Sequence, residues 1–207
     1  MYLPKHFAVT EVPVMHAMMR KHPLATLVCH GLAGLDANHI PFLLADDSSP
    51  YGTLQGHIAR ANPLCKVGDL AEEVLVIFQG AESYISPSNY ATKAEHGKVV
   101  PTWNYTAVHA YGRLRLIDDA AWIFAQISAL TATHESSLPN PWSVSDAPAD
   151  YIEKMLGAIV GIEITIERLV GKWKVSQNQP PANQASLIAA LQQVGDPMAE
   201  LIQAQQQ

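Results

Sequence analysis

The stretch Val100-Pro101-Thr102-Trp103-Asn104-Tyr105-Thr106-Ala107-Val108-His109-Ala110-Tyr111-Gly112 decides the fold. A polar, aromatic-rich segment opens directly into a strand. From Thr106 onward the even positions Thr106, Val108, Ala110, Leu114 and Leu116 are small or apolar. The odd positions Tyr105, His109, Tyr111, Arg113 and Arg115 are polar, aromatic or charged. That period of two predicts a β-strand with one buried face and one face turned to water or a ligand. The odd face is too aromatic for open solvent and too polar for a core. A dimer interface and a ligand wall both remain open for it.

The segments on either side read as short strands with helices between them. Thr10 caps a helix bearing Val14, Met15, Met18 and Met19 and ended by His22-Pro23. Leu24 to Cys29 is a strand, Gly31 and Gly34 mark a turn, and Ala37 to Ala45 returns as a second strand. Asp46 to Gly52 reads as polar loop and Thr53 to Ile58 as a third strand. Val74 to Gln79 is continuously apolar, the pattern of a strand buried on both faces. Tyr84 to Val100 has no period and reads as a long loop, and loops of that length are usually functional. Asp118-Asp119 cap a helix with Ile123, Ile127 and Leu130 on one face. His134 to Ser145 is loop, and a helix runs from near Pro148 through Leu156. Ile162, Ile164 and Ile166 alternate with Glu163, Thr165 and Glu167 as another half-buried strand. Ala185 to Val194 forms a last helix stopped by Gly195, with Gln203 to Gln207 frayed. The sum is a mostly β chain (α+β), and periodicity alone reaches a closed antiparallel barrel with peripheral helices.

Composition excludes several classes. The 207 residues are 48% hydrophobic and 15% charged, which argues for a packed core and against disorder. Two cysteines, Cys29 and Cys65, match no metal spacing and fit a reducing cytoplasm. No signal-peptide pattern and no membrane-length apolar run is present. GxGxxG, HExxH, CxxC and GxSxG are all absent from the sequence, so Rossmann, zinc-hydrolase, thiol-redox and α/β-hydrolase readings lack support. A net charge of −6 with scattered basic residues, and no helix-turn-helix or zinc-finger spacing, predicts weak intrinsic affinity for DNA.

The motif VPTWNYxxVHxxG resembles the signature of the PaiB-type family of FMN-binding negative transcriptional regulators. Other segments support the resemblance in order: MYLPKHF, His39-Ile40-Pro41-Phe42-Leu43-Leu44, Gly56-His57-Ile58-Ala59-Arg60-Ala61-Asn62-Pro63, Phe78-Gln79-Gly80, Tyr84-Ile85-Ser86-Pro87 and Gly171-Lys172-Trp173-Lys174-Val175-Ser176-Gln177-Asn178. Cys65 and Asn89 depart from the pattern, standing where the family usually carries tryptophan. The resemblance implies an antiparallel split β-barrel of the FMN-binding type, a homodimer with flavin at the subunit interface, and FMN as cofactor. It sets residues 1–180 as the FMN-binding domain and 181–207 as a C-terminal helical tail. DNA enters as a partner through the resemblance alone. A flavin oxidoreductase acting on a small acceptor, and a haem-binding split barrel, stand as alternatives.

FMN asks for donors to a nearly dianionic phosphate, a flat apolar wall for its ring, and hydrogen bonds at the pyrimidine edge. Arg60, at a strand end beside Asn62, is the phosphate candidate; otherwise it is a surface arginine before a turn. His39 and His57 lie in strands resembling flavin-lining strands, and each could equally be a hydrogen-bonded structural residue. Ser86 and Thr102 offer hydroxyls, or cap turns. Trp103 and Asn104 combine a flat surface with an amide, or plug a barrel end. Lys174 and Gln177 reach toward a phosphate or flavin edge, or decorate a solvated strand end. Catalytic residues are not assignable, and no metal set is expected.

Overall fold

The computed structural model describes residues 1–31, 34–45, 49–66 and 72–205. Its first hairpin shows how sequence places an element. β2 (Leu24–Gly31) pairs antiparallel with β3 (Gly34–Pro41) from Leu24↔Pro41 through Gly31↔Gly34, where Gly34 has φ +112°. The strand expected over Ala37–Ala45 ends at Pro41 and resumes as β4 (Leu43–Ala45). Pro41 has no N–H to give the ladder, and Phe42 N–H turns away to the Pro23 carbonyl at 2.9 Å. Of the expected loop Asp46–Gly52, residues Asp46, Asp47 and Ser48 lie outside the described residues.

The remaining elements are β1 (Ala8–Val9), α1 (Val12–Lys21), β5 (Thr53–Ala59), β6 (Val74–Ile85), α2 (Lys93–His96), β7 (Thr102–Ile117), α3 (Ala120–Glu135), α4 (Ala149–Gly157), β8 (Ile159–Lys174), α5 (Pro181–Gln193) and α6 (Met198–Ala204). Seven strands form one sheet path in the order β3-β2-β6-β7-β8-β5-β4, and β1 joins it against β8. Three expectations change in detail. β6 is not buried on both faces, because Leu75 and Ile77 stay half-exposed while Val74, Val76 and Phe78 are buried. The loop after it starts at Ser86 instead of Tyr84 and contains a 3₁₀ turn and α2. β8 runs sixteen residues and takes in Gly171–Lys174, a stretch that reads separately in the sequence. α6 follows Gly195 within the expected helical tail, as a second helix beyond the one expected to stop there.

The chain forms two compact units. One comprises residues 1–15, 79–108 and 170–207. There β1 pairs with β8 at Ala8↔Lys172 and Val9↔Gly171. Ile85, Val108, Trp173, Val175, Leu187, Leu191 and Ile202 are buried in it. α5 turns two polar side chains onto the 86–92 segment. Thr92 N–H donates to Asn183 Oδ1 at 3.0 Å, Ala91 N–H to Ser186 Oγ at 3.1 Å, and Ser186 Oγ to the Asn89 carbonyl at 2.8 Å. Backbone groups with no ladder partner are satisfied there by side chains.

The other unit comprises residues 16–78 and 109–169. β5 pairs with β8 from Thr53↔Thr165 to Ala59↔Ile159. Two glycines permit close approach. A Cβ on Gly112 would lie 2.1 Å from the Thr165 carbonyl oxygen, and one on Gly161 would lie 2.4 Å from the Trp122 ring. Asp119 caps α3 by accepting from Trp122 N–H at 2.7 Å, as the sequence suggests. α3 is thereby seated on β8 by an indole over a glycine. Among the described residues no helix is long and apolar enough to cross a membrane.

Candidate functional site

The alternation read from the sequence sets the chemistry of β7. Asn104, Thr106, Val108, Ala110, Gly112 and Leu114 are buried, while Tyr105, His109 and Tyr111 are half-exposed. Within the second unit the odd face is laced to β8. Arg113 Nε donates to Glu167 at 3.2 Å, Arg115 to Glu163 at 2.6 Å, and the Arg168 guanidinium lies 3.5 Å over the Tyr111 ring. His109 sits beside Tyr111, and burial pushes its imidazole below the ordinary histidine value. The polar stripe is largely a satisfied cross-strand ladder.

The first unit presents a different chemistry at the start of β7 and the end of β8. Lys174 Nζ donates to Thr102 Oγ1 and to the Trp103 carbonyl. Lys172, two residues earlier on the same strand, is only 7% exposed. Its ammonium donates to the Tyr2 carbonyl at 3.2 Å and stands 5.1 Å from the Tyr105 ring. Among the described residues neither lysine has a carboxylate partner. Partial burial and then the charge of Lys172 hold Lys174 below the usual lysine value. Trp103 is 54% exposed and meets Tyr84, itself exposed, edge to face at 5.7 Å between ring centres. Behind them Asn104 is buried and donates from Nδ2 to Ser176 Oγ at 2.8 Å, while its Oδ1 has no partner. Ser176 holds φ +62°, a left-handed conformation unusual for serine. Tyr90 Oη lies beside Ser176 without full hydrogen-bond geometry, and burial raises its pKa.

The other candidates are placed as follows. Arg60 is bidentate to Asp118, with N–O distances of 2.9 and 2.6 Å, and also donates to the carbonyls of Gly157 and Ile159. That pairing draws the Asp118 carboxyl below its ordinary value. Asn62 donates to Asn38 at 2.7 Å and accepts from Leu64 N–H, closing its own turn. His39 is exposed on β3, at one end of the sheet path. His57 Nδ1 lies 2.9 Å from the carboxamide oxygen of buried Gln126. Ser86 accepts from Ser88 N–H and caps a 3₁₀ turn. Gln177 spends its amide on its own turn, accepting from Val175 N–H and donating to the Trp173 carbonyl. The structure thus groups Thr102, Trp103, Asn104 and Lys174, and gives Arg60, Asn62, Ser86 and Gln177 partners within the chain. Lys172, Ser176 and Tyr90 are additions. The sequence reading already held Lys172 and Ser176 within the Gly171–Asn178 segment and gave no signal for Tyr90.

Residues 1–168 match the family described as "Putative FMN-binding domain". The chain belongs to this FMN-binding family. The chain is 30% identical to the Protease synthase and sporulation protein PAI 2 of Bacillus subtilis, covering 98% of this chain and 97% of that one. It is 35% identical to an uncharacterized protein of Emericella nidulans, with 94% and 92% coverage. Among solved structures it is similar to the FAD and heme binding protein of Mycobacterium smegmatis, with TM-score 0.60, 15% identity, and coverage of 88% of this chain and 79% of that one. A flavocytochrome from Azotobacter vinelandii superposes with TM-score 0.58 at 16% identity, covering 83% and 72%. The fold is the flavin-binding split barrel, as the sequence resemblance implies, and the cofactor of the family is FMN.

The residues present fit that cofactor. Two cations without carboxylates supply what a phosphate needs, an exposed indole supplies a flat wall, and an unsatisfied buried carboxamide oxygen marks a polar group awaiting a donor.

Proposed function

We propose that this family member is a homodimeric flavoprotein whose FMN is held at the Thr102–Lys174 cluster, and that it acts in transcriptional control without reading DNA itself. The single observation behind the site is the pair Lys172 and Lys174, two neighbouring cations on β8 with no carboxylate on either among the described residues. A buried or half-buried ammonium is costly unless an anion faces it. Lys174, steadied by Thr102 and the Trp103 carbonyl, is the phosphate donor, and Lys172 adds charge from behind. Trp103 with Tyr84 forms the wall for the ring, and Asn104 fixes the turn at Ser176 beneath it. Once bound, FMN supplies one- and two-electron redox chemistry.

The exposed Trp103 and Tyr84, together with Tyr2 at 84% exposure, support a second copy covering this face. The net charge of −6 supports regulation through a partner or a small-molecule reaction over direct repression. Purified protein should carry a twin-banded flavin spectrum and sediment as a dimer at micromolar concentration. A Soret band in place of flavin bands would turn the reading to haem. Nanomolar, sequence-selective DNA binding by the protein alone would restore a direct repressor.

A further inference from the structure

The second unit carries a cavity that the flavin reading does not use. It measures about 370 Å³, and its walls come from α3, the 3₁₀ turn Val144–Asp146, α4, the beginning of β8 and His57 of β5. The lining is almost wholly apolar, with Ile127, Leu130, Val144, Leu156 and Ile159 at its sides. Trp142, Tyr151 and Met155 also line it, and each is left at least 38% exposed. Ligand cavities begin at roughly 300 Å³, and their walls are characteristically apolar with a few placed polar groups. An indole, a phenol ring and a thioether together favour an aromatic guest.

His57 supplies the placed polar group. The carboxamide oxygen of Gln126 can only accept, so the bond at 2.9 Å puts the proton on His57 Nδ1. Nε2 is then the imidazole acceptor left for a guest. Gln126 is 2% exposed and its own Nε2 has no partner among the described residues, so the contact of this buried amide is with the His57 ring. We infer that the cavity is a second ligand site, taking a small planar aromatic molecule with one hydroxyl or N–H, a phenol or an indole, whose donor meets His57 Nε2.

The test uses full-length protein saturated with FMN, with 1-naphthol as probe and 1-methoxynaphthalene, which lacks the donor, as its comparison. Calorimetry should give a dissociation constant for 1-naphthol on the order of 10–100 μM, about two- to tenfold tighter than for the ether. His57→Phe should erase that gap while the ether still binds. Thr131→Trp, from a half-exposed position on the cavity wall, should remove both ligands while leaving the melting temperature and flavin spectrum intact. The inference is overturned if neither probe binds at millimolar concentration, if Thr131→Trp leaves binding unchanged, or if the ether equals the naphthol. It is also overturned if FMN and naphthol compete, because the cavity would then belong to the flavin. Failure of the Lys174 site would leave naphthol binding untouched, so the two readings fail separately.

Discussion

Two cationic sites in this molecule differ in how their charge is met. At Arg60 four guanidinium N–H groups are occupied, by both oxygens of Asp118 and by the carbonyls of Gly157 and Ile159. At Lys172 and Lys174 the two ammonium groups meet, among the described residues, a threonine hydroxyl, two backbone carbonyls and tyrosine rings. The first site is finished without a ligand. The second, in the function proposed above, is completed by the FMN phosphate. A basic residue at a strand end is therefore a weak indicator of phosphate binding until its partners are known. Where the counter-charge is missing says more than where the charge is.

The largest effect that can break this contrast is loss of the lysines. Lys172→Met with Lys174→Gln should weaken FMN about a hundredfold, since each charge-assisted contact contributes roughly 1.5–3 kcal/mol and neighbours are not additive. Riboflavin, which lacks the phosphate, should lose far less. Equal losses for FMN and riboflavin in fluorescence-quenching titrations would move the phosphate elsewhere.

A second effect concerns pH. Burial and Lys172 lower the Lys174 pKa from its usual 10.5 in the free protein. A phosphate opposite it raises that pKa again, so binding takes up a proton as the pH climbs through the depressed value. FMN affinity should then fall with rising pH in the window below 10.5, by at most about tenfold per pH unit for one proton. It should also fall below about pH 6, where the phosphate gains its own second proton. Lys174→Gln should flatten the alkaline limb and spare the acid one. A flat alkaline limb in the parent protein would mean that Lys174 never faces the phosphate.

How much of this was legible in the sequence follows from the range over which each feature is encoded. β7 could be read because its burial is periodic in neighbouring residues, from Val108 to Arg115. The burial at the end of β8 could not, because Gly171, Lys172 and Trp173 are all buried there, so no period of two marks which face is covered. Arg60 looked like a ligand donor because Asp118 lies 58 positions away, and the contact of Lys174 with Thr102 spans 72. Pairings of that separation are set by strand order, which no local pattern states. α6 was not delimited within the expected helical tail because its seven residues are too short for a helical period to declare itself.

A smaller effect sharpens the contrast through stability. Lys172→Met alone keeps the volume and removes an ammonium that is 7% exposed and lacks a carboxylate partner. Flavin-free protein should become more stable by on the order of 1 kcal/mol, while FMN-bound protein should not, because the parent's cation is then compensated. Urea melts with and without FMN measure both. A Lys172→Met protein destabilised in both states would show that its packing against the tyrosine rings outweighs its charge.

The smallest effect is expected at the finished site, and its smallness is the point. Arg60 and Asp118 are exposed, with side-chain accessibilities of 43% and 68%, so water replaces whichever partner is removed. Arg60→Ala should change FMN affinity by less than about twofold and leave the ratio of FMN to riboflavin affinity unaltered. Asp118→Asn should behave alike. The pair leaves a trace at low pH. Its carboxyl is depressed in the folded state, so its contribution is present above the ordinary aspartate value and is lost as pH falls through the depressed one. Acid unfolding of Asp118→Asn should therefore show a slightly shallower dependence on pH than the parent below about pH 4, the parent's small advantage at neutrality vanishing in acid. If Arg60→Ala instead cost FMN tenfold and spared riboflavin, Arg60 would be exchanging Asp118 for the phosphate on binding. The contrast between a finished and an unfinished cation would then describe only the flavin-free molecule.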